Sequence, residues 1–289
     1  MALSGDVIPC APRLTVLDWG VGGVDLFAKL RAARPDIALR YRSDSGFTPW
    51  GRVPTAALRR RIAAILDHEQ ALGATGVLVA CNAASTVLPA LCRDDAPWAP
   101  HGVHGVIDPG VAAALSAGWR HVGLVGGART VRSGAWARPL RAADLTVRQV
   151  IAQPLSARIE AGDIDGPATR ALVRQLCAPL RRCEAVILAC THYPAAAAAF
   201  NAALPGVLIF DPADAALQQL LAALPLPRPA ALPAPPPTAW TTGDPAATRA
   251  AALRAFGVDL GAVGAVALHP IGCPPMTHPQ PRRSPWPSG

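Results

Sequence analysis

Cys81 and Cys190 stand in nearly the same surroundings. Val77-Leu78-Val79-Ala80-Cys81-Asn82-Ala83 parallels Val186-Ile187-Leu188-Ala189-Cys190-Thr191-His192. Each reads as an apolar strand, an alanine, a cysteine and then small or polar residues. Four kinds of cysteine chemistry compete for this pattern. A structural zinc site or a dithiol redox centre wants close pairs such as CxxC, and the chain has none. A cysteine hydrolase needs one thiol, a histidine base and a third orienting group. Cys190 and His192 supply part of that set, so this reading stays open. The fourth is proton exchange at a carbon flanked by two bases. Inverting a Cα–H centre needs one group on each face, one taking the proton as thiolate and the other donating from its thiol. Neighbouring polar groups must then hold the thiols near a useful protonation state.

The elements that would position the cysteines follow from short apolar runs. Leu14-Thr15-Val16-Leu17, Val77 to Ala80, Val122 to Val125, Val186 to Ala189 and Val207 to Phe210 are continuous rather than alternating. That is the pattern of strands buried on both faces. Helical stretches lie between them at Val24 to Ala33, Thr55 to Leu72, Val111 to Ala117 and Thr169 to Leu180. The alternation predicts an α/β fold with parallel sheets, in which ligands bind beyond the carboxyl ends of the strands. The two cysteine junctions are separated by roughly the length of a small domain. They predict two similar lobes facing each other about a pseudo-two-fold axis, with the thiols across one cleft. Chance similarity in an alanine-rich chain is the competing explanation. The expected division is a first lobe over residues 1–97 completed by 206–268, a second over 98–205, and a proline-rich tail at 269–289 outside the fold. Residues 225–237 read as an extended linker.

Other candidates lie at the same strand ends. Asp18 follows the first strand and precedes Gly20-Val21-Gly22-Gly23, a tight strand-to-helix turn. Its spacing is not a dinucleotide fingerprint. Asp18 reads either as a loop cap or as a charge orienting a catalytic group. Pro49, Trp50 and Gly51 end a turn-rich loop whose backbone N–H groups could meet a carboxylate. Glu160 sits at an expected helix end, where a solvated side chain is the simpler explanation. Cys10, Cys92, Cys177, Cys183 and Cys273 occupy no such junction.

Composition narrows the classes. The 289 residues carry 27 Lys+Arg against 19 Asp+Glu, a net charge of +8, with Lys29 the only lysine. The densest basic cluster, Arg59-Arg60-Arg61, lies inside a helical pattern and reads as a solvated helix face rather than a nucleic-acid patch. No apolar run is long enough to cross a membrane. Residues 1–10 lack a basic signal-peptide start, and seven cysteines without one suit free thiols in the cytoplasm.

Taken together, the chain resembles the glutamate racemase family of the aspartate/glutamate racemase superfamily. Asp18-Trp19-Gly20-Val21-Gly22-Gly23 is similar to the family's Asp-Ser-Gly-x-Gly-Gly, and Pro49-Trp50-Gly51 to its Pro-Tyr-Gly. Ala80-Cys81-Asn82-Ala83-Ala84 resembles Ala-Cys-Asn-Thr-Ala. Cys190-Thr191-His192-Tyr193-Pro194 matches without change. Gly105 to Gly110, Thr130 to Gly134 and Thr241 to Pro245 follow in family order.

The resemblance implies two flavodoxin-like lobes, no cofactor and no metal. It implies a glutamate substrate racemised between enantiomers, with D-glutamate serving peptidoglycan and cell-wall synthesis. Cys81 would act on D-glutamate and Cys190 on L-glutamate. Asp18 would assist Cys81, and Glu160 and His192 would assist Cys190. Trp19, Pro49, Trp50, Gly51, Asn82, Ala83 and Thr191 fall at substrate-contacting positions. No nucleic-acid or membrane partner is implied, and a homodimer is the assembly to test. Trp19 stands where the family has serine, Ala83 where it has threonine, and Trp50 where it has tyrosine. These departures leave two other expectations open: a related racemase or isomerase with another substrate, and a non-catalytic descendant that binds a ligand or a protein.

Overall fold

The computed structural model describes residues 12–93, 98, 102–224 and 235–268. Among the described residues, ten strands form two all-parallel sheets. β1 (Arg13–Asp18), β2 (Ala38–Ser43), β3 (Gly76–Val79) and β4 (Val103–Gly105) belong to the first. β5 (His121–Gly126), β6 (Thr146–Ile151), β7 (Ala185–Ala189) and β8 (Leu208–Phe210) form the second. β9 (Thr238–Thr241) and β10 (Val263–Ala265) extend the first sheet beyond β2. The orders β2-β1-β3-β4 and β6-β5-β7-β8 are the same, so the lobes are topological copies. Sheet membership departs from the expected division at two places. β4 pairs with β3 in the first lobe, and β8 pairs with β7 in the second.

The central strands β1, β3, β5 and β7 are apolar because helices cover both faces of each sheet. The first sheet separates a cluster around Phe27, Leu30 and Tyr41 from one around Trp50, Leu58 and Ile62. The second separates a cluster around Val173, Tyr193 and Phe200 from one around Trp136 and Leu140. Each fully buried side chain of this size contributes about 1.5–3 kcal/mol of transfer free energy.

Local sequence sets the helix limits. The helix Val24–Ala33 buries Val24, Leu26, Phe27 and Leu30. It stops at Arg34 because Pro35 disfavours a helical residue before it. The helices Pro212–Ala223 and Pro245–Phe256 share one grammar. Asp211 and Asp244 accept from backbone N–H groups at the start, with proline in the first turn. Gly257 ends the second at φ 67°, a left-handed cap. The expected helix at Val111 begins earlier, at Ile107, because Pro109 is tolerated in a first turn.

Charge is buried where a simple reading puts it outside. Arg40 and Arg42 of β2 point beneath the helix Thr55–Ala71 and meet Glu69, at 2.7 and 3.7 Å. Thr15 donates to the same carboxylate at 2.8 Å. Breaking such a buried pair from one side costs about 3–5 kcal/mol. The basic cluster at 59–61 also needs correction. Arg61 is not solvated but binds Asp44 at 2.6 and 3.0 Å and covers the Phe47 ring. Asp44 further accepts from the indole of buried Trp50 at 3.0 Å.

The chain passes to the second lobe between β4 and the helix Ile107–Ser116, and returns through the helix Pro212–Ala223, which packs on it. The expected tail at 269–289 and most of the 225–237 linker lie outside the described residues. No described helix is long and apolar enough to cross a membrane.

Candidate active site

Both cysteines sit one step past a central strand, Cys81 after β3 and Cys190 after β7. They line one cleft between the lobes. Asp18, Trp19, Pro49, Trp50, Gly51, Asn82, Ala83, Thr191 and His192 line it too. Glu160 stands behind His192. Every candidate named from the sequence is therefore gathered at one place.

In the first half-site, Asp18 ends β1 and is buried. It accepts from the Trp19 backbone N–H at 2.6 Å and from the Thr191 hydroxyl, across the seam, at 2.8 Å. Burial nonetheless raises its carboxyl above the usual range, opposed by the positive charge of His192 and by these bonds. Cys81 precedes the short helix Asn82–Ser85, so the Ala84 and Ala83 backbone N–H groups donate to its sulfur. Burial, then the Asp18 charge, outweighs them and pushes the Cys81 thiol well up. Protonated Cys81 is the resting form that follows.

The second half-site is built on the helix Gln153–Glu160 and the Cys190–His192 turn. Glu160 Oε1 lies 2.8 Å from His192 Nε2, and His192 Nδ1 lies 3.9 Å from Cys190 Sγ. Ser156 Oγ approaches the same sulfur at 3.5 Å. Burial opposes a charged imidazole, but hydrogen bonds and charge from Cys190 and Glu160 prevail and raise His192 well above its ordinary range. An imidazolium held between a carboxylate and a sulfur can stabilise a thiolate or relay a proton to it.

The glycine turn serves close approach. A Cβ on Gly22 would meet Thr191 Oγ1 and His192 Nδ1, the latter at 2.7 Å. One on Gly20 would strike the Glu160 carboxylate. The turn of the first lobe thus lies directly on the acid/base groups of the second. Trp19 turns its indole into the first lobe, donating to Phe47 O at 2.8 Å, and packs beside Trp50.

Sequence reasoning missed several lining residues. Gln153 and Ser156 share a helix face with Glu160, a spacing that could have found them. Behind the lining, fully buried Trp136 donates to Asn82 Oδ1 across the seam at 3.0 Å. Arg129 also lines the cleft. Its only sequence signal is its position beside Thr130. Among the described residues, no cluster of three or more His, Cys, Asp or Glu could hold a metal ion.

Comparison with known proteins gives the family and the fold. A family model described as Asp/Glu/Hydantoin racemase matches residues 51–220. A glutamate racemase of Thermus thermophilus is 36% identical over 270 residues, covering 91% of this chain and 99% of that one. A glutamate racemase of Pseudomonas aeruginosa is 36% identical over 187 residues, 62% of this chain and 68% of that one. The crystal structure of the Thermus thermophilus glutamate racemase in complex with beta-chloro-D-alanine superposes with TM-score 0.79 at 35% identity. The match covers 89% of this chain and 97% of that one.

Proposed function

Because the chain belongs to the Asp/Glu/Hydantoin racemase family, we propose that it interconverts L- and D-glutamate by two-base proton transfer at Cα. The observation that carries this reading is the pair of cysteines at equivalent strand ends of two lobes, lining one cleft with separate acid/base partners. In one direction the Cys81 thiolate takes the α-proton of D-glutamate and the Cys190 thiol delivers a proton to the opposite face. In the other the roles exchange, with Cys190 acting on L-glutamate. Asp18 orients Cys81 and assists its deprotonation. His192, charged against Glu160, assists Cys190. Backbone N–H groups of the Trp50–Gly51 turn, Asn82 and Thr191 hold the substrate's polar ends. Side chains supply both acid/base groups, so the scheme calls on no cofactor. D-Glutamate formed this way would serve peptidoglycan synthesis in the cytoplasm.

Trp19, Trp50 and Ala83 favour a second reading of the same chemistry, because they line the cleft with apolar surface where the related pattern has hydroxyls. Losing a polar contact of that kind costs about 1–3 kcal/mol. A panel of amino-acid enantiomers in deuterated water decides between them. Racemisation with Cα deuteration is expected fastest for glutamate. Faster turnover of a less polar amino acid supports the second reading, and no exchange with any of them overturns both.

A further inference from the structure

Arg129 combines three features: a reach across the seam, unused N–H donors and no carboxylate partner. It lies on the second lobe, yet its guanidinium reaches across the seam to the first. Nε donates to Trp50 O at 3.1 Å, Nη1 to Thr55 Oγ1 at 3.2 Å, and Nη2 to Val53 O. These acceptors are all neutral. A guanidinium carries five N–H groups, so two remain beyond these three bonds. The other charged groups of the cleft are matched within the protein: His192 faces Glu160, and Asp18 takes three hydrogen bonds. Arg129 is half-buried with no carboxylate among its partners. Burial disfavours its charged form, which a Cys81 thiolate, but not the resting thiol, would support. A partly desolvated cation without a counter-anion leaves a charge that an anionic ligand can match.

Its place identifies that ligand. Arg129 and Gly51 line both the cleft and an adjoining outer groove, where Arg52 and Arg132 also stand. The guanidinium therefore sits at the cleft mouth beside the Trp50–Gly51 turn. We propose that Arg129 is a specificity-determining residue, pairing with the distal carboxylate of the substrate and so restricting the cleft to dicarboxylic amino acids. This rests on the amino-acid racemase reading above. A guanidinium matches a carboxylate in charge and in planar geometry. The neighbouring arginines add positive potential that draws such a substrate inward.

Equilibrium binding of D-glutamate and D-glutamine to the full chain, by titration calorimetry, tests this. Wild type should prefer glutamate by about tenfold or more, the discrimination a dedicated polar contact provides. Arg129→Met should erase the preference by lowering glutamate affinity more than glutamine affinity, because both ligands lose the bonds that brace the Trp50 turn but glutamate alone also loses a charge partner. Arg129→Lys should restore part of it. Equal affinities in wild type, no glutamate binding, or a parallel loss of both ligands in Arg129→Met would overturn the assignment. Parallel loss would mark Arg129 as a latch for the Trp50 turn alone. Should the variants fold poorly, phenylglyoxal modification of wild type gives an independent answer. Glutarate should protect Arg129 and glutaramide should not; equal protection overturns the proposal. Cα exchange is read separately. Its absence alongside intact discrimination would sink the racemase reading and leave the assignment of Arg129 as a carboxylate-pairing residue standing.

Discussion

The two half-sites share a scaffold but not a chemistry. Leu17 pairs with Val79 and Val125 with Leu188, two residues before each cysteine, so Asp18 and Gly126 occupy the same rung of the two lobes. The first lobe places a carboxylate there, beside its cysteine. The second has Gly126 and then Gly127, and a Cβ on Gly126 would press against the Ala189 carbonyl at 3.3 Å. Its acid/base partners come instead from the residue two past the cysteine and from a helix. Duplication of a parallel sheet thus delivers two thiols facing one space, while each thiol's partners arise locally. The thiols are consequently not equivalent at rest. An anion neighbours Cys81 and a cation neighbours Cys190.

The largest test of that comparison replaces the thiols. Cys81→Ser and Cys190→Ser should each lower racemisation by about 10³-fold or more, since a hydroxyl is a poor base at neutral pH. Any residual Cα exchange should follow the surviving thiol: D-glutamate in Cys190→Ser and L-glutamate in Cys81→Ser. Mass spectrometry of each enantiomer in deuterated water checks it. Exchange of the same enantiomer by both variants would break the assignment of faces.

Next in size is Gly22→Ala. The added methyl must displace Thr191 or His192, and a misplacement near 1 Å costs about 100-fold in rate. Thermal melts and kinetics together separate this from unfolding, because the clash is between lobes and should spare most of the stability.

Glu160→Gln probes the second half-site by charge. The raised His192 stabilises the folded state fully below the ordinary histidine pKa, about 6.5, and this contribution is lost as pH rises through the folded value. Removing the carboxylate should shrink that pH-dependent loss and lower kcat/KM about tenfold, less than the roughly 10²-fold or more of a group that itself transfers the proton. The fall must be equal in both directions, because enantiomers are equally stable. Asymmetry between half-sites can therefore show only in kcat and KM taken separately. Denaturant melts from pH 6 to 9 should show a flatter slope for the variant.

The smallest effect concerns the first half-site, where the family pattern is broken. Trp19→Ser combined with Ala83→Thr should raise kcat/KM for glutamate by about tenfold if about 1.4 kcal/mol of transition-state binding returns. Loss of Trp19 packing beside Phe47 should lower the melting temperature at the same time. A wild type already efficient on glutamate, with no gain in the variant, would make these departures neutral.

Much of this was legible in the sequence, for identifiable reasons. β1, β3, β5 and β7 are buried on both faces, and continuous apolar runs say so. β2 escaped because Arg40 and Arg42 disguise a buried strand, and only Glu69, on a distant helix, explains them. β6 escaped because Arg148 and Gln149 interrupt its apolar residues. The cysteines and their neighbours could be found from local repetition. Contacts across the seam could not. Thr191 to Asp18, Trp136 to Asn82 and Arg129 to the Trp50 turn depend on how two lobes meet. The tight fit of Gly20 and Gly22 against Glu160 and His192 has the same origin, which is why the turn read only as a tight corner.

The central claim is that two thiols work from opposite faces of one carbon. Its most direct test starts from a single glutamate enantiomer in deuterated water and stops at early conversion. The product enantiomer should carry deuterium at Cα while recovered starting enantiomer keeps its hydrogen, because the donating thiol has equilibrated with solvent and the accepting one has not yet returned its proton. Product that retains the substrate's own hydrogen, or deuterium appearing equally in both enantiomers, would point to a single base and contradict the account.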